Sequence, residues 1–419
     1  MNTSPSAPTG ADSRWSIMWR GTLPRVALVM GLAQLGYATV LPLLPLYLTE
    51  RLRAGMLLVG MVVAAFALTD TLGKWALGWA SDRLERRSLI VGGALISSLA
   101  PLAMTTLRSP EWFIPLQFVD GLGSAALWPA GMALAVETVE PRHQGAAMGV
   151  LTLAFFAGLG LGPAVAGYVA TATGSYTQGF LVASGLLAAA ALLAAVMVPV
   201  APREAPRAGP APAGAVVPPF RLGASRPSLG VVRDLPILRP LLGVIFLQMF
   251  GVGLIMPVAI VYARQVLGFT LAEMGRAFLG VALTIGVAAA ITGKIADRRA
   301  RVPLISWGFL VATLGMWLLV LSAVASARGD VLGLSWRGLV LVLAGMMLAV
   351  GFTLVRPAWL ARLAEVAPAD RLGEVFGLSE TVQGIGLVVG PLAGGFLWDL
   401  RGPVLPFLVC AVVLTLGTT

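Results

Sequence analysis

Apolar stretches of roughly 20 residues alternate with short polar segments along nearly the whole chain. They fall near 23–48, 55–80, 88–107, 112–138, 145–170 and 178–200, and again near 237–264, 271–296, 303–326, 338–363, 373–398 and 404–418. Helices of that length cross the hydrocarbon core of a bilayer, so the pattern predicts twelve membrane-spanning helices, the last one short. Two segments break the rhythm. Residues 1–22 are polar and rich in Ser and Pro, without the apolar core or cleavage site of a signal peptide, and are expected to form a tail. Residues 201–235 combine many Pro and Ala with Arg203, Arg207, Arg221, Arg226 and Arg233, a composition that cannot bury a core. The expected organisation is a tail at 1–22, a six-helix bundle at 23–200, a linker at 201–235 and a second six-helix bundle at 236–419.

The two halves repeat. Pro42, Tyr47, Asp82 and Arg83 return 215 residues later as Pro257, Tyr262, Asp297 and Arg298. Pro129, Glu137, Gly145, Gly149, Gly162, Pro163 and Gly167 return as Pro357, Glu365, Gly373, Gly377, Gly390, Pro391 and Gly395, now 228 residues on. The difference of 13 fits a longer loop near 327–338 in the second half. Two constant offsets across six spans describe parallel repeats of one helical unit.

Composition sharpens this picture. Of 419 residues, 58% are hydrophobic and 11% charged, which excludes an ordinary soluble domain. The formal charge of +10 is spread over short loops and not gathered on one surface, so nucleic acid is not the expected partner. Assigned to alternating sides, 18 Lys and Arg lie with the N-terminus and linker against 8 opposite, which predicts both termini and the linker on the cytoplasmic side of the cell (inner) membrane. One cysteine, Cys410, and one histidine, His143, leave no basis for a disulfide framework or a metal cluster.

Three motifs carry a family resemblance. Gly78-Trp-Ala-Ser-Asp82-Arg83-Leu-Glu-Arg86-Arg87 joins spans 2 and 3, and Gly293-Lys-Ile-Ala-Asp297-Arg298-Arg299-Ala-Arg301 repeats it. This order of glycine, aspartate and basic cluster resembles the signature loop of the major facilitator superfamily. Gly158-Leu-Gly-Leu-Gly162-Pro163-Ala-Val-Ala166-Gly167 resembles the fifth-span motif of that superfamily's drug:proton antiporters, and Gly386, Gly390, Pro391 and Gly395 repeat it in span 11. Physically, glycines four apart clear a helix face for a neighbour, and the proline bends the helix. In span 4, Gln117-Phe-Val-Asp120-Gly121-Leu-Gly123 stands where proton-coupled relatives carry an arginine followed by a glutamine, with Gln117 and Asp120 in their places. The resemblance implies an all-α membrane protein of two six-helix bundles, similar to the twelve-span drug:proton antiporters.

Charges within spans cost about 2.5–3.5 kcal/mol near the bilayer centre, so they usually face an aqueous cavity or a partner. Asp70, Lys74, Asp120, Arg356 and Glu380 are such charges. Asp70 and Lys74, four apart, share a helix face and either neutralise each other or titrate during transport. Asp120 has no base near it in sequence and is the first candidate for proton carrier, with Asp70 and Glu380 beside it. Arg356 could hold an anion or pair with Glu380. Gln34, Tyr37, Lys74, Gln117, Gln248 and Arg356 are candidate substrate contacts in a central cavity. Gly78, Asp82, Arg83, Arg86, Arg87 and Glu137, with Gly293, Asp297, Arg298, Arg301 and Glu365, are candidate gating elements, the glutamates being expected to meet the basic clusters and hold the cytoplasmic side shut.

The expected activity is proton-coupled efflux of hydrophobic or cationic small molecules by alternating access, with the proton as coupling ion and no cofactor or metal. The alternatives are a lipid or lysolipid exporter or flippase, or a carrier of an anionic metabolite held by Lys74 and Arg356. A monomer in the lipid bilayer is expected, and enzyme chemistry is not, because no nucleophile–base pair, phosphate loop or metal cluster stands in the sequence.

Overall fold

A computed structural model of the chain describes residues 21–81, 84–140, 143–199, 230–296, 301–324, 330–331, 334–368 and 371–417. The predicted spans become helices α1 (Leu23–Leu46), α2 (Met56–Ser81), α3 (Arg86–Met104), α4 (Phe113–Glu137), α5 (Gln144–Thr173) and α6 (Tyr176–Met197). The second half supplies α7 (Leu238–Gln265), α8 (Leu271–Ala296), α9 (Arg301–Val324), α10 (Trp336–Val366), α11 (Leu372–Arg401) and α12 (Val404–Leu416). Eleven of these are long and apolar enough to cross a membrane. The thirteen residues of α12 reach only about 20 Å.

Prolines sit inside α1, α3, α4, α5, α7 and α11, where the loss of one backbone bond is tolerated because neighbouring helices support the bend. After Pro42 and Pro45, α1 runs on as a π-helical turn, Tyr47–Arg51, beyond the span predicted from hydropathy. The longer loop of the second half carries a two-stranded hairpin, Asp330–Val331 against Leu334–Ser335. At the end of the stretch predicted as linker, Gly230–Asp234 is helical, and Arg371 holds Asp234 at 2.8 Å.

The repeat in the sequence is a repeat in the packing. In the first half α5 lies on α1, and a Cβ on Gly162 would come within 2.4 Å of Ala38. In the second half α11 lies on α7 in the same way, with Gly390 against Gly253 and Leu254, which are the counterparts of Ala38 and Thr39. Further along the same two helices the partner changes to the opposite half. Gly167 of α5 abuts the first turn of α8 at Leu271, and Gly395 of α11 abuts the first turn of α2 at Met56. Each copy of the glycine motif therefore builds one seam within a half and one seam between the halves.

We term the end of the protein with the α2–α3 connection the signature end, and the opposite end, with the turn between α1 and α2, the distal end. One buried core takes in the distal end of the first half, with Leu43, Leu46, Val59 and Phe180, and runs the length of the second half, from Tyr262 and Phe407 to Leu238 and Val375. At the signature end, Leu23, Met30, Ile90, Leu134, Leu151 and Leu187 form a separate cluster confined to the first half. The halves are joined by shared apolar burial at the distal end.

Candidate functional site

Four helices of the first half bring polar side chains to one place. Gly121, next to Asp120, lets α4 approach α2 so closely that a Cβ there would lie 2.0 Å from Thr69 Oγ1 and 3.1 Å from the Asp70 nitrogen. Gly123 does the same for α3, at 2.4 Å from Ser97 Oγ. The glycines of the span-4 motif thus set the distances between Asp70 on α2, Ser97 on α3 and Asp120 on α4. Ser124 donates to Asp70 Oδ1 at 2.8 Å, while Lys74 forms an ion pair with Asp70 Oδ2. The Tyr37 hydroxyl of α1 meets Ser97 Oγ at 2.6 Å, and Ser97 Oγ donates to the Asp120 carbonyl at 3.3 Å.

The two carboxylates differ in surroundings. Asp70 has a cation and a hydroxyl. Asp120 is 5% exposed, and its Oδ1 has no hydrogen-bond partner among the described residues. No cation stands beside it among the described residues, and burying a charged carboxylate without one is costly. Lys74 keeps 43% of its side chain exposed, so its ammonium group is within reach of solvent or ligand while it neutralises Asp70.

The other expected site residues are dispersed. Gln34 packs its Cβ into the α1–α5 seam beside Gly158, and Gln248 is 1% exposed with both amide atoms unpartnered among the described residues. Both are buried by close helix packing in this conformation. Gln117, one turn before Asp120, is buried as well. Glu380 accepts from Gln383 at 3.0 Å on its own helix, and this, not a pair with Arg356, is its described contact; Arg356 is exposed on α10.

The signature loops lie only partly within the described residues. Asp82, Arg83, Asp297 and Arg298 fall outside them, while Gly78, Gly293 and Arg301 are placed in α2, α8 and α9. Arg86 pairs with Glu137 across α3 and α4, and Arg87 donates to the Ala195 carbonyl of α6. Arg362 pairs with Glu365 at 3.3 Å on α10. These described pairs stay inside one half, so they brace each bundle and do not bridge the two.

Charged links between the halves occur at the distal end, on residues at or just beyond the ends of the predicted spans. Arg264 at the end of α7 reaches Glu50 at the end of α1, 3.1 Å away, and the Tyr176 hydroxyl of α6 donates to the same carboxylate. They border a cleft of about 380 Å³ with Arg51, Thr171, Ser175 and Thr270. Asp399 at the end of α11 accepts from the backbone nitrogens of Met56 and Leu57 at 3.0 and 2.8 Å.

Comparison with known proteins follows the geometry. The family model described as Major Facilitator Superfamily matches residues 26–336 and, again, 241–419. The chain belongs to the Major Facilitator Superfamily. Among superfamily relatives, Multidrug resistance protein 2 of Bacillus subtilis (strain 168) is 24% identical over 392 residues, covering 92% of this chain and 90% of the relative. Quinolone resistance protein NorA of Staphylococcus aureus is 23% identical over 371 residues, 88% of this chain and 87% of the relative. The fold is also that of a point variant of the nucleoside transporter NupG, with a TM-score of 0.73 at 12% identity over 95% of this chain and 98% of that one.

The two-half plan of the superfamily exposes an asymmetry. By the offsets that align the packing, the counterparts of Tyr37, Asp70, Lys74, Ser97, Asp120 and Ser124 are Val252, Ile285, Ala289, Ala312, Leu348 and Phe352. The scaffold is duplicated, whereas the polar cluster is present in the first half only. Helix packing does not require it, since the second half packs the same way without it.

Proposed function

We propose that this transporter exchanges protons for hydrophobic or cationic small molecules by alternating access, with Asp70 and Asp120 as the titrating carboxylates. The observation that carries the reading is the polar cluster of the first half, in which Asp120 is buried with no cation beside it among the described residues and Asp70 is paired with Lys74. Protonation removes the charge that attracts a cationic substrate, and release of the proton restores it. One side chain thus binds either ligand in turn, the condition for exchange. Lys74 already bound to Asp70 presents no free positive charge to an anion, which favours cationic cargo over an anionic metabolite. The names of the relatives, which refer to multidrug and quinolone resistance, support the same class. Positive charge at the signature end supports a cytoplasmic position for that end in the cell membrane. Apolar burial shared by the two halves at the distal end supports a closed arrangement of that end in this conformation.

Ethidium, a planar hydrophobic cation, is a suitable probe. Proteoliposomes with an acid interior are expected to accumulate it above the external concentration and to lose it when a protonophore collapses the gradient. Equilibration without accumulation contradicts the exchange reading.

A further inference from the structure

The first turns of α2 and α8 are equivalent positions of the repeat, yet their free backbone N–H groups are satisfied in different ways. At α8 the cap is local. Thr270 Oγ1 accepts from the Glu273 nitrogen at 3.2 Å and Glu273 Oε2 accepts from the Thr270 nitrogen at 2.7 Å, a reciprocal capping box. The equivalents of Thr270 and Glu273 at α2 are Gly55 and Leu58, which have no side-chain oxygen to offer. There the cap comes from the other half, as the Asp399 carboxylate bound to the nitrogens of Met56 and Leu57. The residue equivalent to Asp399 is Thr171, and its hydroxyl is bonded to the Gly167 carbonyl within its own helix.

We propose that Asp399 is a latch holding the distal end closed, the missing local cap of α2 being what makes the latch effective. A carboxylate on helix N–H groups is a charge-assisted contact further favoured by the positive end of the helix dipole. Separation of α11 from α2 uncaps the helix, and Gly55 and Leu58 cannot replace the lost acceptor. The same movement at the α5–α8 seam leaves the cap of α8 intact. Opening of the distal end is therefore opposed on one seam by a specific polar contact. The arrangement also explains Gly55, where a Cβ would meet Asp399 Oδ2 at 3.2 Å. This inference goes beyond the transport reading, and its test uses neither substrate nor proton gradient.

The test is the labelling rate of a cysteine placed at Ala170, buried in the opposite seam beside Leu271, by a membrane-impermeant maleimide in a Cys410→Ala background. Asp399→Ala is expected to label roughly fivefold faster, the scale of losing one helix cap. Adding Gly55→Thr and Leu58→Glu transplants the capping box of α8 onto α2 and restores the helix end without restoring the link to α11. The triple variant is therefore expected to stay fast. Its α2 has its own cap, so it carries the test even if Asp399→Ala alone inserts poorly. A return of the triple variant to the parent rate shows that Asp399 serves only to cap the helix, and overturns the proposal; so does a parent-like rate in Asp399→Ala.

Discussion

Acid-interior proteoliposomes carrying the Asp70→Asn, Asp120→Asn double variant are expected to equilibrate ethidium without accumulating it, down to the level reached by parent protein after the gradient is collapsed. Asparagine keeps the size of each side chain and most of the packing set by Gly121 and Gly123, but neither amide gains or loses a charge near neutral pH. The two single variants separate the roles. Asp70→Asn leaves Lys74 without its counter-ion, so its defect includes a half-exposed unpaired ammonium group in a helix of the membrane. Asp120→Asn removes a buried carboxylate that has no cation partner among the described residues, so the protein is expected to be at least as stable while losing coupling. Stability is measured by thermal unfolding in detergent and coupling by the accumulation ratio. Full dependence on the gradient in the double variant removes both carboxylates from the mechanism.

Gly395→Val is expected to abolish accumulation and to lower thermal stability by about 3 kcal/mol or more, the upper range for overpacking. A Cβ at this position falls 2.2 Å from the Met56 carbonyl oxygen and 2.7 Å from its carbon. These are backbone atoms, with no rotamer to turn aside, so α11 and α2 must separate. The same seam carries the Asp399 contact, which then lengthens with it. Gly167→Val, the equivalent change on α5 against the Leu271 carbonyl, is expected to act in the same direction. Gly149→Ala and Gly377→Ala are the controls, because no atom of the described residues lies within 4 Å of either added methyl group. Both are expected to be neutral or slightly stabilising, as alanine favours the helix over glycine.

The fold was legible in the sequence because a membrane span announces itself by length. The span limits predicted from hydropathy agree with α2 to α11 to within a few residues, and the offsets of 215 and 228 that relate the motifs also relate the contacts the motifs make. The site was legible in part. Asp70, Lys74 and Asp120 stand out because charge is scarce inside spans. Ser97 and Ser124, which complete the cluster, are ordinary helix residues until α3 and α4 are brought together. Gln34 and Gln248 suit hydrogen bonding in a central cavity by residue type, and in α1 and α7, apolar around most of their circumference, the sequence does not mark which face is buried. Glu50, Arg264 and Asp399 were hidden for another reason. Each lies at the polar end of an apolar run, where charge is unremarkable, and its partner is more than 200 positions away in the chain. The one local clue was negative: the capping box at Thr270 and Glu273 has no counterpart at Gly55 and Leu58.

Proton movement driven by the substrate tests exchange most directly. Proteoliposomes in weak buffer, loaded with a pH-sensitive dye and no imposed pH gradient, receive an outward gradient of ethidium. If the transporter exchanges the two species, ethidium leaving draws protons inward and the interior acidifies, at a rate that falls to that of protein-free vesicles in the Asp70→Asn, Asp120→Asn variant. Ethidium leaving through the protein with no change in internal pH contradicts the account.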